Sequence, residues 1–440
     1  MKKYGLCLTA LSLVFSFAAN AEDLGDVIRY TLENNPELAS ARATMRSVEA
    51  RQGQAKSGYK PKVALVGDAA LEHREYELSS LPDTIKDDVV PYSYGVQASM
   101  NLFEGGKTMY ATKAAQFETK AQEHAVEAKT TQLISQTAQA YLDYLDAVNV
   151  QKLQKNNVDV MRAHYVETRD KAKFGRLTST DVAQAQARLE GAKALLTQAD
   201  MGVDNASERF FRITGKAPEL TQTPDIAAVL NAAPATQGER DIWNLIKDAP
   251  ETLAEAEKIA QEQNPLLKEL IQRENAAAEQ VKVAKNTSSP SLDLSAYAGR
   301  QEKQIMMDTL TDYQAKLSLS VPLYDASVSH YKKIEALEAQ NAVKYSLSDA
   351  RAAVREAVRT AWNAVSTRKS ETLYAQAQIK ANKKALDGVI DEARNGTRTT
   401  LDVLNAQQEY LDSQVSLSHA QYGLVNAKLS LLQAMGVLKL

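Results

Sequence analysis

Hydrophobic and polar residues follow two different periods along this chain. Apolar and polar positions alternate from Tyr94 to Leu102 and again from Tyr313 to Leu323. Alternation predicts β-strands with one apolar face, and about ten residues is the length of a strand that crosses a membrane. Elsewhere apolar residues recur at spacings of three and four, as from Ile134 to Val148, and this spacing predicts helices.

Proline and glycine positions predict that two of the helices are very long. No proline occurs between 92 and 217 or between 323 and 440, and no glycine occurs from 107 to 174 or from 326 to 387. Both residues break helix interiors, so each tract is expected to form one uninterrupted helix. At ~1.5 Å per residue, sixty or so residues reach roughly 100 Å, which is several times the width of a compact domain.

The second half of the chain repeats the first. Asn35-Pro36 recurs 229 residues later as Asn264-Pro265, and from the next strand onward the offset is 221, as for Gly175 and Gly396. The eight-residue difference falls where a strand hairpin can absorb it. Each repeat is predicted to contain a helix, two strands, a long helix and a return helix.

The repeat sets the predicted boundaries. The chain divides into a signal peptide at 1–21, a first repeat at 22–215, an equatorial linker at 216–250 and a second repeat at 251–440. The predicted elements of the two repeats are helices at 22–57 and 251–286, strands at about 61–76, 92–103, 290–300 and 312–323, long helices at about 106–174 and 326–394, and return helices at about 178–214 and 398–435.

The first 21 residues predict export from the cytoplasm. Lys2 and Lys3 precede an apolar stretch from Leu6 to Phe17, and Ala19-Asn20-Ala21 forms a cleavage site. The stretch is too short to cross a bilayer as a mature helix. The only cysteine, Cys7, lies in this leader, so the mature chain is expected to have no disulfide and no cysteine metal site.

Composition excludes several classes of function. The chain has 52 basic and 55 acidic residues, a net charge of −3 and 44% hydrophobic residues, which indicates neither nucleic-acid binding nor disorder. The five histidines are scattered, and no Ser/His/Asp arrangement has a supporting motif, so we predict no enzyme, no cofactor and no metal site. A row of arginines on one helical face, Arg351, Arg355 and Arg359, is interpreted as solvated surface.

The strands predict a barrel shared between chains. Four strands cannot close by themselves, and unpaired edges are not tolerated in lipid. Two chains would give eight strands with a filled interior, whereas three would give twelve strands and a water-filled lumen, which a conduit needs. The alternative is a hairpin packed on a soluble core. Aromatic residues at the strand ends resemble the two girdles of an outer-membrane barrel: Tyr59, Phe103 and Tyr324 at one end and Tyr76, Tyr92 and Tyr313 at the other.

The turns after the long helices carry the most specific motifs. Gly175-Arg176-Leu177-Thr178 precedes Asp181, and Gly396-Thr397-Arg398-Thr399 precedes Asp402-Val403-Leu404-Asn405. Together with the repeat, these motifs resemble the TolC-type outer-membrane efflux proteins over nearly the whole mature chain. The resemblance implies a mostly α fold with membrane β-strands: a homotrimer with a twelve-stranded β-barrel in the outer membrane and a long periplasmic α-helical barrel.

The resemblance also implies a function and partners. The protein would be a passive exit duct for drug efflux or type I protein secretion, surrounded by outer-membrane lipid. Its partners would be a periplasmic adaptor and an inner-membrane ABC or RND transporter, with no nucleic acid. The main rival is a periplasmic adaptor, which predicts one helical hairpin and a Gly-rich lipoyl-like module. A soluble coiled-coil scaffold would leave the leader and the alternating strands unexplained.

By the same resemblance, the two turns form the periplasmic entrance. Asp181 and Arg398 are candidates for links that hold it shut, and Asp402 for a ring of carboxylates that favours cations. Family members have a second acidic residue at Asn405 and a tyrosine at Ala393, so this gate is expected to have fewer links. The alternative is that both aspartates cap the return helices and Arg398 is an exposed tip charge. The turn residues expected to dock the adaptor are Gly175, Leu177, Thr178, Gly396, Thr397 and Thr399.

Overall fold

A computed structural model describes residues 24–76, 85–218, 246, 250–304 and 307–438. The predicted leader and most of the predicted linker lie outside these residues. The helices of the described chain are α1 (Leu24–Asn34), α2 (Pro36–Lys56), α3 (Lys107–Lys173), α4 (Ser179–Thr214), α5 (Leu253–Gln263), α6 (Pro265–Lys285), α7 (Val328–Arg394) and α8 (Thr400–Met435). The strands are β1 (Lys62–Ala69), β2 (Glu72–Tyr76), β3 (Ile85–Val89), β4 (Tyr92–Phe103), β5 (Ser291–Gln304) and β6 (Met307–Ser320).

Corresponding helices of the two repeats have identical lengths. The long helices α3 and α7 contain 67 residues each, and the return helices α4 and α8 contain 36 each. The shorter pairs agree as well, with 11 residues in α1 and α5 and 21 in α2 and α6. Because the helices match, the two helical hairpins end at the same distance from the sheet.

Each repeat begins with two helices where the sequence predicted one. The expected helices at 22–57 and 251–286 are both divided at the Asn-Pro pair, because proline has no N–H to donate and disfavours helix in the residue before it. Asn35 and Asn264 cap the helices that follow. Their side chains also donate to the carbonyls of Ile213 and Ala434, both at 2.9 Å, and so fix each break to the end of a return helix.

The main sheet is antiparallel with the strand order β1-β4-β5-β6. Opposite residues share a face, and one row across all four strands reads Leu65, Val96, Ala298 and Tyr313. The neighbouring row, on the other face, contains Gln97, Tyr297 and Gln314. One face is therefore apolar although it is exposed in a single chain, with Leu65 82% exposed. Strands β1 and β6 are open edges.

The strand boundaries differ from those predicted. The expected strand at 61–76 is divided into β1 and β2, and β2 pairs with β3 in a separate two-stranded sheet. In the second repeat, β5 and β6 extend further toward their connection than expected, and β6 ends at Ser320. Pro322 follows that end and cannot donate a ladder hydrogen bond.

The helices continue the order of the strands. Helices α2, α3, α6 and α7 adjoin β1, β4, β5 and β6, and each packs against the next in that order. Helix α8 packs between α7 and α3, and α4 packs on α3. No helix in the described ranges combines the length and apolarity needed to cross a bilayer.

Two apolar clusters hold the helices together. One joins α1, α3 and α8 through residues such as Ile28, Ala138 and Leu429. The other joins α5, α7 and α8 through residues such as Val358 and Leu431. Each helix therefore contacts neighbours on several sides, which explains why no single apolar seam runs along its length.

Candidate functional site

Each long helix ends in a glycine turn. Gly175 and Gly396 have φ of 70° and 78°, a left-handed conformation that glycine adopts without a Cβ penalty. The next residue donates back across the turn in both repeats: the Arg176 N–H to the Lys171 carbonyl and the Thr397 N–H to the Glu392 carbonyl, each at 3.0 Å. This is the Schellman arrangement, and it satisfies carbonyls at the helix end.

Each return helix begins with a capping box. Thr178 and Thr399 accept a hydrogen bond from the backbone of Asp181 and Asp402, and each aspartate accepts one from the backbone N–H of its threonine, at 2.8 Å and 2.9 Å. These hydrogen bonds hold the pKa of both carboxyls below the ordinary value. Both aspartates are therefore ionised at neutral pH, and both have the local role that the sequence offered as the alternative to a gate.

The structure does not bring Asp181 to Arg398 within one chain. Arg398 instead forms an ion pair with Glu392 of its own hairpin, with Nε 2.8 Å from Oε2. Helix α8 begins beside this pair, and the pKa of Arg398 is raised chiefly by Glu392 and to a smaller extent by Asp402. Sequence reasoning missed Glu392, because it precedes the glycine turn and meets Arg398 only when the chain reverses.

Asn405 links the two hairpins. The Arg188 guanidinium of α4 donates from Nη2 to the Asn405 side-chain oxygen at 2.8 Å. Leu404, the preceding residue, is buried in a small cluster with Leu189 of α4. Asn405, which the resemblance indicated as a gate position, thus forms a contact between the repeats. The sequence did not indicate its partner, Arg188.

The predicted docking residues lie at the exposed ends of the hairpins. Gly175, Thr178, Gly396, Thr397 and Thr399 are exposed, and Leu177 is half-buried. Phe174, which the sequence did not single out, is 82% exposed beside the first turn. The corresponding residue of the second turn is Asn395, so the two turns differ in apolar surface.

A polar cluster lies further up, where α3 meets α8. The Asp146 carboxylate accepts from the Ser418 hydroxyl at 2.6 Å and contacts the His419 ring at 2.6 Å. Asp143, one turn away, pairs with Arg209 of α4. Burial raises the pKa of Asp143, and Asp146 raises the pKa of His419.

The cluster escaped sequence reasoning because its members are distant along the chain. One difference between the repeats could have indicated the cluster. The counterparts of Asp143 and Asp146 in α7 are Ala364 and Thr367, so the acidic residues occur in one repeat only.

The chain matches the family model described as outer membrane efflux protein over residues 27–216 and 258–437. It is 26% identical to the outer membrane efflux protein BepC of Brucella suis biovar 1 over 421 residues, which cover 95% of this chain and 86% of BepC. It is 25% identical to the outer membrane protein TolC of Escherichia coli K12, over 100% of this chain and 87% of TolC.

A solved structure supports the fold. The CmeC outer membrane channel of Campylobacter jejuni superposes with a TM-score of 0.79 and 18% identity, covering 94% of this chain and 86% of CmeC. The two segments of the family match fall on the two structural repeats and together span most of the chain. The protein therefore belongs to the outer membrane efflux protein family, as a TolC-type channel protein of the outer membrane that extends into the periplasm and is not an enzyme.

Proposed function

We propose that three copies of this chain form one continuous duct through the outer membrane and the periplasm. A periplasmic adaptor binds the turns at its lower end, and an inner-membrane ABC or RND transporter supplies the energy for export of drugs or proteins. The observation that carries this proposal is the internal repeat. Strands β1 and β6 are the open edges of the sheet in each chain, and their counterparts in the other repeat, β5 and β4, pair with each other.

The contact between the repeats provides the template for the contact between copies. Within one chain, β4 of the first repeat pairs with β5 of the second, and Met100 lies opposite Leu294. The counterparts of these residues are Val321, which directly follows β6, and Leu65 in β1. We expect β6 of one copy to pair with β1 of the next, with Val321 opposite Leu65. Both belong to the apolar face, as the sheet requires.

The helices support the same arrangement. Inside one chain, α3 packs against α6, and Lys282 lies over the Tyr110 ring, 5.7 Å from its centroid. The counterparts at the boundary between copies are Gly53 of α2 and Tyr331 of α7, and Tyr331 is 68% exposed in the single chain. A large exposed ring therefore faces a position without a side chain. Other small exposed residues continue along α2, namely Ala39, Ala43 and Ala50.

Three copies suit a conduit better than two. Eight strands enclose an interior that side chains fill, whereas twelve strands leave room for water. In a closed barrel the apolar face of the sheet meets lipid, and the row that contains Gln97 and Gln314 lines the lumen. The duct then continues into the periplasm through the long helices.

The proposed gate lies where the helical hairpins end. Asp402 is ionised and fixed by its capping box, so three copies would place three oriented carboxylates at the entrance. Arg398, which pairs with Glu392, interacts electrostatically with this aspartate. The adaptor would bind the two turns of each copy, and the exposed Phe174 offers it an apolar contact.

The shared barrel can be tested by cross-linking. The only natural cysteine is Cys7 in the predicted leader, so the variant Leu65→Cys/Val321→Cys offers one reactive pair at each boundary. A short thiol cross-linker applied to the detergent-solubilised protein is expected to join copies into dimers and trimers. Leu65→Cys/Tyr313→Cys is the control, because it uses the same face eight residues out of register.

Conduction tests the duct itself. Protein reconstituted in planar bilayers is expected to give small cation-selective steps, and its mass in detergent is expected to be that of three chains. A monomeric protein that neither cross-links through the barrel pair nor conducts would contradict the proposal.

A further inference from the structure

Helix α4 carries an exposed stripe whose counterpart in α8 is buried. Met201, Asp204, Glu208 and Phe211 lie on one face of α4, and Met201 and Phe211 are 59% and 51% exposed. The counterparts in α8 are Tyr422, Val425, Leu429 and Leu432, which are all core residues beside α3. The repeat thus indicates that the α4 stripe is also covered, by a second helix equivalent to α3.

The helix equivalent to α3 is α7, and in the proposed assembly α7 of a neighbouring copy would occupy this place. Two core residues of α3, Ile134 and Ala138, have Arg355 and Arg359 as their counterparts in α7. These are the arginines that the sequence assigned to solvated surface. Within the described residues, neither Arg355 nor Glu208 has an ion-pair partner, and both are exposed.

A third position changes in the same way. Ile28 of α1 belongs to the core cluster of Ala138 and Leu429, and its counterpart in α5 is Glu257. Glu257 already contacts Arg359, with Oε1 2.5 Å from the guanidinium Nε. The apolar triple Ile28, Ala138 and Leu429 around α3 is therefore matched around α7 by a charged pair, Glu257 and Arg359. The third counterpart is Glu208 of α4, which forms no ion pair with Arg359 within the described chain.

The register of the missing member follows from hydrogen bonds between α3 and α8. Gln139 donates to Ser430 at 3.5 Å, which places Ala138 beside Leu429. Asn426 donates to Asp143 at 3.3 Å in the same register. If α7 of one copy packs on α4 of the next in the equivalent register, Arg359 lies beside Glu208 of that neighbour.

We infer that Arg359 of one copy binds Glu208 of the next copy and forms a triad, Glu257–Arg359–Glu208, at each boundary of the duct. One turn along, the Arg355 guanidinium lies over the Phe211 ring of that neighbour. The inference rests on the proposed assembly of three copies. It adds the partner and the register of a surface that the assembly alone does not specify.

The chemistry of the three side chains fits the triad. An arginine guanidinium has a planar fork of donors and can bind two carboxylates at once, so its unused nitrogens remain available beside the Glu257 contact. Asp204 lies one turn from Glu208 and extends the acidic surface opposite the arginine row. The two faces have opposite charge and face each other in the equivalent register.

The contrast between the two seams also has a physical reason. The α3·α8 seam forms within one chain and can be apolar, because it is never exposed in the folded copy. The α7·α4 seam is exposed until copies meet, and a large apolar patch there would promote aggregation. Charged pairs keep the separate copy soluble and set the register on assembly, since ion pairs contribute more to specificity than to affinity.

Cross-linking tests the register directly. In Glu208→Cys/Arg359→Cys, a short cross-linker is expected to join most copies to their neighbours. The matched control is Asp204→Cys/Arg351→Cys, which uses the same two faces twelve residues out of register and is expected to give almost no product. Products are read as dimers and trimers on a denaturing gel.

The barrel pair Leu65→Cys/Val321→Cys separates the two proposals. If the barrel pair cross-links and the Glu208/Arg359 pair does not, the triad is wrong and the shared barrel stands. If neither pair cross-links, the assembly itself is wrong. Equal yields for the Glu208/Arg359 pair and its control would also overturn the triad, because they would show no defined register.

Charge reversal provides the second test and does not depend on cysteine chemistry. Glu208→Arg places two guanidinium groups together and is expected to lower the thermal midpoint of trimer dissociation, with the largest loss at low salt. Glu208→Gln has a similar size and is expected to lose less. Adding Arg359→Glu to Glu208→Arg is expected to recover part of the loss. Identical midpoints for the Arg and Gln variants would contradict the triad.

Discussion

The His419 Nδ1 atom lies 2.6 Å from the Asp146 carboxylate and joins the return helix of the second repeat to the long helix of the first. Ser418 donates to the same carboxylate and accepts from the Asn149 amide, so three contacts between two side chains of each helix cross this seam. The other charged groups close by are Asp143 on α3 and its partner Arg209 on α4. The seam therefore contains a histidine whose charge depends on pH near neutrality.

Stability is expected to depend on pH through His419. Asp146 raises the pKa of His419, so its stabilising effect is complete below the unfolded value of about 6.5 and is lost as pH rises through the folded pKa. The side chain is more than half exposed, so the effect should be under about 1 kcal/mol. Thermal unfolding of His419→Gln is expected to show a smaller decline between pH 6 and 8 than the parent chain, by the same linkage.

His164 provides a control of opposite sign. Burial lowers its pKa, so the folded state favours the neutral ring, and its stabilising effect is lost as pH falls. His164→Gln is therefore expected to lose less stability at low pH than the parent chain. The same direction of change in both variants would contradict this assignment.

Two helix-ending glycines should respond differently to alanine. Gly215 and Gly436 have φ of 77° and 76°, so alanine costs roughly 1–2 kcal/mol at either position for the left-handed conformation. A Cβ at Gly215 would meet open space, whereas one at Gly436 would collide with Pro265 and the Asn264 backbone. Chemical unfolding is expected to show a clearly larger loss of stability for Gly436→Ala. Equal losses would show that the close approach at Asn264 is absent.

Tyr297 lies over two glycines on the face of the sheet that carries Gln97 and Gln314. The atoms nearest to a Cβ at Gly95 all belong to Tyr297, whereas those nearest to a Cβ at Gly299 include the Tyr94 carbonyl oxygen. Gly95→Ala is expected to cost about 1–3 kcal/mol, the usual cost of overpacking, and Tyr297→Ala should relieve that cost. Gly299→Ala is expected to remain destabilised in the same background. Chemical unfolding of each variant provides the measurement.

The cap and gate roles of Asp402 can be separated. Glutamine at this position can still form a capping box, so Asp402→Gln removes the charge and keeps the helix start. Asp402→Ala removes both. In planar bilayers both variants are expected to lose cation selectivity, while only the alanine variant should show faster hydrogen exchange at the start of α8. Unchanged selectivity in both variants would remove Asp402 from the gate.

Arg398 should affect conductance instead. Arg398→Ser removes the ion pair with Glu392 and is expected to raise single-channel conductance by loosening the turn. Glu392→Gln is the matched variant, because it breaks the same pair from the other side. An increase in only one of the two would show that their contact is not what holds the entrance.

The sequence was most informative where the repeat constrained it. The fold class followed from two proline-free tracts and an alternating strand pattern, and the family match agrees with it. The two Asn-Pro pairs could be read from the sequence, but their role in dividing the first helix of each repeat could not. Asn35 contacts Ile213 only in the folded chain, so helix periodicity alone predicted one helix across the break.

Contacts between distant segments were beyond the sequence. Arg188 meets Asn405, and Asp146 meets His419, across more than 200 residues, and no spacing rule relates them. Local motifs behaved differently. Thr178 and Thr399 precede an aspartate by three residues, which is the pattern of a helix start, and the structure contains both caps.

Equal helix lengths in the two repeats restrict how the protein can change in size. One residue added to a single long helix would rotate everything below it by about 100° and shift its tip by ~1.5 Å relative to the other hairpin. A deeper duct therefore requires matched additions in α3, α4, α7 and α8. The connection between the strands of the first repeat does not have to match that of the second, and it is eight residues longer. New surface can therefore be added there without altering the length of the duct.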